Sequence, residues 1–241
     1  MTNSAQIKTA AIVGVGPGLG RALALRFARG GLSVGLLARG QDAVAAVHAE
    51  VEATGARAGS YACDTTDEAS VRGAFAKLSA DLGAPDVLVY NAGAFEVASV
   101  LDITPADLER TWKTNCLGGL IASQAVLPAM LREGRGTILF SGATASLRGG
   151  ARFAHLAVGK FGLRALAQSM ARELGPRGVH VAHVLIDAVI DTPRIRARFA
   201  DGDPSKYAAP AALAESYWHL YTQDPSAWTH ELDLRPSVEK F

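Results

Sequence analysis

The sequence contains little cysteine and no excess of charge of either sign. Cys63 and Cys116 are the 2 cysteines among 241 residues, and they are isolated, without the spacing that metal ligands show. We therefore predict no metal site and interpret both as small buried residues in a reducing compartment. The 24 lysines and arginines balance 23 aspartates and glutamates, so we expect no basic surface and no nucleic-acid partner.

Long apolar runs and signs of a second domain are missing as well. The first residues lack the apolar region of a signal peptide, and no apolar run reaches the length of a membrane span. We therefore expect a soluble, cytoplasmic protein without a membrane partner. No repeat, low-complexity segment or linker divides the chain, and its 49% hydrophobic content is enough for one large core, so residues 1–241 are predicted to form one domain.

The hydrophobic pattern alternates between strands and helices. The predicted strands lie near residues 9–13, 32–37, 57–62, 86–90, 136–141, 179–185 and 229–234. The predicted helices lie near residues 19–29, 41–54, 67–82, 105–132 and 153–174. Such alternation predicts an α/β fold, a doubly wound parallel sheet of about seven strands with helices on both faces, which binds ligands at the carboxyl ends of its strands.

A glycine-rich turn separates the first predicted strand from the first predicted helix. Gly14, Gly18 and Gly20 fit the spacing G-x-x-x-G-x-G, whereas the commoner G-x-G-x-x-G fails because Leu19 and Arg21 stand where it needs glycine. The backbone N–H groups of such a turn and the positive end of the helix bind a pyrophosphate without a charged side chain. A plain tight turn is the alternative.

Four more motifs follow this turn, at the ends of predicted strands or on flanking helices. They are Asp64 in Cys63-Asp-Thr-Thr66, the turn Asn91-Ala-Gly93, Asn115, and Lys160 in Val158-Gly-Lys-Phe-Gly-Leu163. Together with the glycine turn they resemble the short-chain dehydrogenase/reductase family over most of the chain. The resemblance implies a Rossmann-like domain and an oxidoreductase that binds NAD or NADP and a small-molecule substrate.

The resemblance also implies which residues contact the cofactor. They are Gly14, Gly16, Pro17, Gly18, Leu19, Gly20, Arg39, Asp64, Thr65, Asn91, Ala92, Gly93, Lys160, Ile190 and Thr192. The second strand ends in Ala38-Arg39, where an NAD enzyme usually has a carboxylate that accepts hydrogen bonds from the ribose 2′-hydroxyl. A guanidinium pairs with a 2′-phosphate instead, so we predict NADP rather than NAD. The alternative is that Arg39 is a solvated loop arginine.

Two hydroxyl groups that the family uses in catalysis are missing. Leu156 stands four residues before Lys160, where the family has the tyrosine that transfers the substrate proton. Counting back thirteen residues from Leu156 gives Ala143, where the family has the serine that polarises the carbonyl. The chain is thus identified as a divergent member without these groups, while Asn115 and Lys160 keep the places of the other two catalytic residues. A buried structural asparagine and a lysine reaching towards solvent are the alternatives for these two.

Ser141 is the best replacement for the missing hydroxyls. It precedes Ala143 by two residues, and because strand side chains alternate, its hydroxyl should face the same side. Thr144 should point the other way unless the strand has ended. His155 lies about 100° around the helix from Leu156, so we interpret it as a surface or subunit-contact histidine.

The surroundings of the predicted pocket leave several assignments open. Arg148 and Arg152 could hold an anionic substrate or be solvated loop arginines, and Asp187-Ala188 replaces the family's Pro-Gly after the sixth strand. The irregular stretch 193–210 stands where the family has a mobile substrate loop and could equally be an ordinary surface loop. Five more residues could line the substrate cavity or a subunit interface: Leu213, Tyr217, Trp218, Tyr221 and Trp228.

Three functions are compatible with these residues. The first is an NADP-dependent oxidoreductase for a small carbonyl compound or alcohol, in which water held by Asn115 and Lys160, or Ser141, supplies the proton. The second transfers hydride to a carbon conjugated to a carbonyl, so that charge develops on a remote oxygen. The third is a non-catalytic dinucleotide-binding sensor or scaffold. We favour an oxidoreductase, because Asn115 and Lys160 have no obvious use in a sensor, and expect a homodimer or homotetramer held by the long helices.

Overall fold

Strands and helices alternate along the chain in the computed structural model, which describes residues 8–198 and 203–239. The strands are β1 Thr9–Val13, β2 Ser33–Ala38, β3 Ala58–Ala62, β4 Val87–Tyr90, β5 Gly136–Ser141, β6 Val179–Ile186, β7 Val189–Ile190, β8 Tyr207–Ala208 and β9 Glu231–Leu234. The helices are α1 Leu19–Arg29, α2 Gln41–Glu52, α3 Glu68–Leu82, α4 Pro105–Trp112, α5 Gly118–Glu133, α6 Ala154–Leu174, α7 Pro193–Arg198 and α8 Pro210–Tyr221.

Within the described ranges, seven strands form one parallel sheet in the order β3-β2-β1-β4-β5-β6-β9. The chain runs outward from β1 to β2 and β3, then returns to the other side of β1 to form β4. A crevice opens at such a reversal, outside the carboxyl ends of the strands. The predicted parallel sheet with helices on both faces is confirmed.

Two helical layers cover the sheet. Along β1, Ala10 and Ile12 pack in a core with α1, α2 and α8, whereas Ala11 and Val13 pack in a second core with α3, α5 and α6. All five residues of β1 are therefore buried, which explains why this strand is apolar without alternation.

Helix α8 is an addition to the helices predicted from sequence, and it completes the first layer. It packs along α1, where the Phe27 ring lies 5.6 Å from the rings of both Trp218 and Tyr221. Tyr217 and Leu213 are buried in the same core. Tyr217 and Leu213 are thus core residues, whereas Trp218 and Tyr221 are half-buried, and a role at a subunit interface stays a prediction for these two. Trp228 stacks on His180 of β6, at 4.8 Å between the ring centroids.

The stretch 193–210 is more regular than predicted. Its described part contains α7 and β8, and β8 pairs with β7 through Val189 and Tyr207. Residues 199–202 of the predicted substrate loop lie outside the described residues. The two short strands attach this stretch to the segment that follows β6.

The helix predicted at 105–132 is divided into α4 and α5 by a π-helical segment, Lys113–Leu117. The whole stretch Pro105–Glu133 is long and apolar enough, by length and composition alone, to cross a membrane. This corrects the expectation that no segment has that length. Half of its most apolar part is buried inside the protein, where Ile121, Val126 and Met130 join the second core. A core helix of an α/β sheet passes the same test.

Candidate active site

The glycine-rich turn joins β1 to α1 in a tightly packed arrangement. Gly14 has φ +91°, and a side chain there would place its Cβ 2.5 Å from the backbone nitrogen of Ala92. A Cβ at Gly20 would lie 2.5 Å from the carbonyl oxygen of Gly14. A Cβ at Gly16, in contrast, would meet no atom within 4 Å. Two of the glycines are thus required by packing, and Gly16 lies at the open surface of the turn.

No side chain caps the N–H groups at the start of helix α1. Gly18 is its N-cap and gives no side-chain hydrogen bond, and the first turn of the helix contains no acidic residue. Of the neighbouring residues that are predicted to contact a cofactor, Pro17 is exposed and Leu19 is buried. The uncapped N–H groups and the positive helix end can therefore bind an anion above Gly16.

A cleft of about 300 Å³ extends from this turn over the carboxyl ends of β1, β2 and β4. It brings together predicted cofactor-binding residues from four parts of the chain: Gly14, Arg39, Thr65, Asn91, Ala92 and Gly93. The Asn91 side chain donates to the Gly14 carbonyl at 3.0 Å, so the two turns hold each other. Cys63 also lines the cleft, and burial raises the pKa of its thiol to about 11, which keeps the thiol protonated.

Arg39 and Asp64 lie near each other beside this cleft. The Asp64 carboxylate accepts hydrogen bonds from the backbone N–H of Thr66 at 2.9 Å and from the Thr66 hydroxyl at 2.8 Å. These bonds, together with the nearby Arg39 guanidinium, hold the pKa of Asp64 below its usual value. Arg39 itself is exposed and lines the cleft. A cation is thus available to a bound phosphate at the end of β2.

The π-helical segment positions Asn115. The Asn115 side chain is fully buried, accepts from the Ala94 N–H at 3.0 Å and donates to the Ala94 carbonyl at 2.9 Å. The Tyr90 hydroxyl donates to the carbonyl of Thr114 at 2.6 Å, one residue earlier in the same segment. Wide turns of this kind occur frequently at functional sites. Asn115 thereby fixes the chain that follows the Asn91-Ala-Gly93 turn.

Lys160 reaches the same place from α6. Its side chain is buried, and Nζ donates to the backbone carbonyl of Ser141 at 2.7 Å. Burial lowers the pKa of Lys160 to about 8. A Cβ added to Gly93 would lie 3.8 Å from Nζ of Lys160 and 3.4 Å from Oδ1 of Asn115. The structure therefore brings Lys160, Asn115 and Gly93 together, and the lysine does not reach towards solvent.

The Ser141 hydroxyl is not directed to the site as predicted. It shares a hydrogen bond of 2.7 Å with the hydroxyl of Tyr217, a residue of α8 whose side chain is buried in the core. The reason is that β5 ends at Ser141, so the alternation that would align it with Ala143 does not continue. Only the Ser141 carbonyl contacts the site, through Lys160.

A second cavity of about 400 Å³ lies between the segment after β5, the start of α6 and the end of β6, and its wall is largely apolar. Ala143 and Leu156 both line it, so the two positions without hydroxyls belong to one site. The remaining lining residues are Phe95, Thr144, Ala145, Arg148, Gly150, Phe153, Ile186 and Ala188. Arg148 is therefore a cavity residue, while Arg152 is an exposed loop residue with φ +69°.

Thr144 lines the cavity, although side-chain alternation along β5 predicts that it points away from the site. After β5, Thr144–Ser146 forms a single 3₁₀ turn, which carries Thr144 onto the cavity wall. The Thr144 hydroxyl donates to Oδ1 of Asp187. Gly142 is the residue in the sequence that could have indicated this bend, because a glycine in a strand often marks one. In the structure, any larger residue there would collide with His183.

His155 is buried, and the two predicted cofactor-binding residues after β6 lie in and next to β7. His155 is 2% exposed, and its two ring nitrogens have no hydrogen-bond partner within the described part of the chain, so it is not a surface residue of this monomer. Ile190 lies in β7. Thr192 lies over the glycine turn, where a Cβ added to Gly18 would come 2.7 Å from its methyl group.

Comparisons with known proteins agree with this geometry. The pattern of the short chain dehydrogenase family matches residues 8–201. A sorbitol dehydrogenase from Cereibacter sphaeroides is 34% identical over 198 residues, which cover 80% of this chain and 76% of that enzyme.

Two solved structures are similar over nearly the whole chain. A short-chain dehydrogenase from Rhodopseudomonas palustris superposes with a TM-score of 0.82 and 38% identity, covering 95% of this chain and 98% of that one. A metagenomic short-chain oxidoreductase in complex with NADP superposes with a TM-score of 0.84 and 27% identity, covering 96% of this chain and 98% of that one.

Proposed function

Because the chain belongs to the short-chain dehydrogenase family, we propose that it is an NADP-linked oxidoreductase for a small alcohol, carbonyl compound or conjugated alkene with apolar substituents. One observation carries this proposal. Lys160 and Asn115 meet at Gly93, which lines the cleft over β1, β2 and β4, and Leu156, one turn before Lys160 on α6, lines the apolar cavity. A protein that only binds a dinucleotide has no need of a buried ammonium one turn from a second cavity.

The residues of the cleft fit the cofactor. The open surface at Gly16 above the uncapped start of α1 suits a pyrophosphate. Arg39 suits a 2′-phosphate, because a guanidinium binds phosphate oxygens in pairs. Lys160 and Asn115 would hold the nicotinamide end. When bound, the nicotinamide ring supplies or accepts a hydride.

The apolar cavity constrains the chemistry. Leu156 and Ala143 occupy the places of the family's tyrosine and serine, and neither side chain can donate a proton or a hydrogen bond. Loss of a positioned general acid costs about 10²- to 10⁴-fold in rate. The chain must therefore use another donor, or a conjugated alkene whose developing charge lies on a remote oxygen.

A single-turnover experiment tests this proposal. NADPH bound to the protein is mixed with a panel of ketones and enones, and its fluorescence is followed. We expect oxidation with at least one panel member and none after Lys160→Met. Tight NADPH binding without hydride transfer to any member of a broad panel would favour the non-catalytic alternative instead.

We further propose that the chain forms a homodimer or homotetramer. Val158 and Phe161 support this, because these large apolar side chains of α6 are 47% and 42% exposed. Light scattering measures the assembly state, and Phe161→Glu should lower it. A monomeric wild-type protein at micromolar concentration would contradict the proposal.

A further inference from the structure

Thr144, in the wall of the apolar cavity, and its partner Asp187 take no part in the function proposed above. The Thr144 hydroxyl donates to Oδ1 of Asp187, and Nη1 of Arg235 lies 3.2 Å from Oδ2 of the same carboxylate. Thr144 lines the cavity together with Ala143 and Leu156. A hydroxyl, a carboxylate and a guanidinium thus form a chain that begins beside the two positions without hydroxyls.

The Asp187 carboxylate is fixed in place. Asp187 is 8% exposed, and burial of a carboxylate is unfavourable unless a cation and hydrogen bonds compensate for the lost water. Arg235 compensates the charge, and its Nε in turn donates to Asp233 at 3.2 Å. The backbone N–H of Asp187 donates to the Leu234 carbonyl at 2.8 Å, which ties the residue to β9. One carboxylate oxygen is therefore held towards Thr144.

Few other polar side chains in the cavity could bind the oxygen of a substrate. Among the described residues that line it, Thr144 carries the only side-chain hydroxyl, and Arg148 is the only other polar side chain. Phe153, Ile186 and Ala188 form an apolar surface around it. Hydrogen bonds are stronger in such low-dielectric surroundings than in water. The hydroxyl of a bound alcohol would therefore donate to Oγ1 of Thr144, whose own hydrogen is donated to Asp187.

We propose that Thr144 is a catalytic residue that binds the substrate oxygen, and that Asp187 is a positioning residue that exchanges a proton with it. This assignment rests on the proposed function. In alcohol oxidation, the substrate O–H bond breaks and its proton passes to Oγ1 of Thr144, whose own proton passes to Oδ1 of Asp187. The carbinol C–H bond breaks at the same time, and its hydrogen leaves with the electron pair as hydride to NADP. In ketone reduction Asp187 first carries a proton, which passes to Oγ1 of Thr144 while the Thr144 hydrogen passes to the ketone oxygen.

A vibrational experiment tests the contact without turnover. Carbonyl-¹³C acetophenone is bound to the full chain in the presence of NADP, and isotope-edited infrared difference spectra record its carbonyl stretch. Spectra are recorded at successively lower pH, because a proton on Asp187 can be donated to Oγ1 of Thr144 and frees the Thr144 hydrogen for the carbonyl oxygen. That hydrogen bond lowers the frequency relative to acetophenone in an apolar solvent. Thr144→Val, which has nearly the same shape, should restore the apolar-solvent frequency. Thr144→Ser should keep the low frequency, and Thr222→Val, on the exposed surface, is the matched control.

Oxidation of 1-phenylethanol tests the proton step. We expect Thr144→Val to lower kcat by about 10²-fold or more, with a smaller change in KM. Thr144→Ser should recover most of this loss. Asp187→Asn can donate an amide N–H to Oγ1 of Thr144, which frees the Thr144 hydrogen for the carbonyl oxygen, but it cannot take up the proton as a carboxylate does. Its kcat should therefore fall while the carbonyl frequency stays low.

The outcomes separate the possible roles. Equal carbonyl frequencies in the wild type and Thr144→Val, or failure of acetophenone to bind the wild type, would overturn the assignment. A purely structural pair would likewise lower thermal stability in Thr144→Val without changing frequency or kcat. A persistent carbonyl shift without hydride transfer in the wild type would overturn the proton step and the proposed function, and would leave Thr144 as the residue that binds the ligand oxygen.

Discussion

The ammonium of Lys160 lies 2.7 Å from the backbone carbonyl oxygen of Ser141, so the end of β5 and the first half of α6 are joined inside the protein. Lys160 is 6% exposed, and burial lowers its pKa to about 8, although the nearby Cys116 thiol acts in the opposite direction. Near neutral pH the group therefore carries a charge that opposes folding and lies close to Gly93 of the cleft.

We expect Lys160→Met to abolish hydride transfer and to stabilise the fold near pH 7. The pKa of Lys160 falls from 10.5 in the unfolded chain to about 8 in the folded one. Below pH 8 both states are protonated and the destabilisation is complete, at roughly 3 kcal/mol or less. As the pH rises from 8 to 10.5, the native state binds fewer protons than the unfolded state, so this destabilisation disappears.

Denaturant unfolding of the wild type and Lys160→Met at several pH values measures this effect. The excess stability of the variant should shrink steadily from pH 8 to pH 10.5. A difference in the free energy of unfolding that stays constant over this range would contradict the lowered pKa.

The pair of Ser141 and Tyr217 should contribute to stability through its shared hydrogen bond. Both side chains are buried, so removal of one hydroxyl leaves the other without a partner. We expect Ser141→Ala and Tyr217→Phe each to lower the free energy of unfolding by about 1–3 kcal/mol. The double variant should lose less than the sum, because the two residues interact. Additive losses in chemical denaturation would show that the hydroxyls do not pair.

Two glycines of the first turn should respond differently to alanine. Gly14→Ala combines a φ of +91° with a Cβ 2.5 Å from the Ala92 nitrogen, so we expect a large loss of thermal stability. Gly16→Ala has open space around its Cβ and should fold normally, yet it should weaken NADPH binding because the methyl group stands where the pyrophosphate approaches. Melting curves and fluorescence titration separate the two effects. Tight NADPH binding by Gly16→Ala would contradict the location of the pyrophosphate.

Arg39→Ala should change cofactor preference. Loss of a charge-assisted contact to the 2′-phosphate costs about 1.5–3 kcal/mol, so we expect NADPH affinity to fall by about tenfold or more. NADH affinity should change little. Arg29→Ala, at the far end of α1, is the matched control for loss of one surface charge. Equal losses of affinity for NADPH and NADH in calorimetric titration would show that Arg39 does not contact the 2′-phosphate.

Much of the fold follows from the sequence because its signals are local. The apolar run 9–13 forms β1 with the same bounds, since buried strands of parallel sheets need no other pattern. The long apolar stretch after Pro105 also predicts a helix, but the π turn inside it has no local signature. That turn depends on Tyr90, whose hydroxyl reaches the Thr114 carbonyl, and on Gly118, which leaves room for the same hydroxyl.

The candidate site was less predictable, because side-chain directions depend on where each element ends. Asn115 and Lys160 were identified from their motifs, and the structure brings both to Gly93. Strand alternation predicts that Ser141 faces the site and Thr144 points away. Because β5 ends two residues before Ala143, the Ser141 hydroxyl instead meets Tyr217 in the core and Thr144 lines the cavity. His155 is buried by tertiary packing around α6 that periodicity along one helix does not reveal.

The π-helical segment Lys113–Leu117 also fixes the number of residues that the chain must have between α4 and α5. Each residue advances an ordinary helix by about 100°, so deletion of one residue there would restore α-helical winding and rotate the helix on one side of the deletion relative to the other. Asn115 would then leave Ala94, although every remaining side chain would be unchanged. This segment should therefore accept substitutions more readily than insertions or deletions, and its residue count is a property that redesign of the protein must preserve.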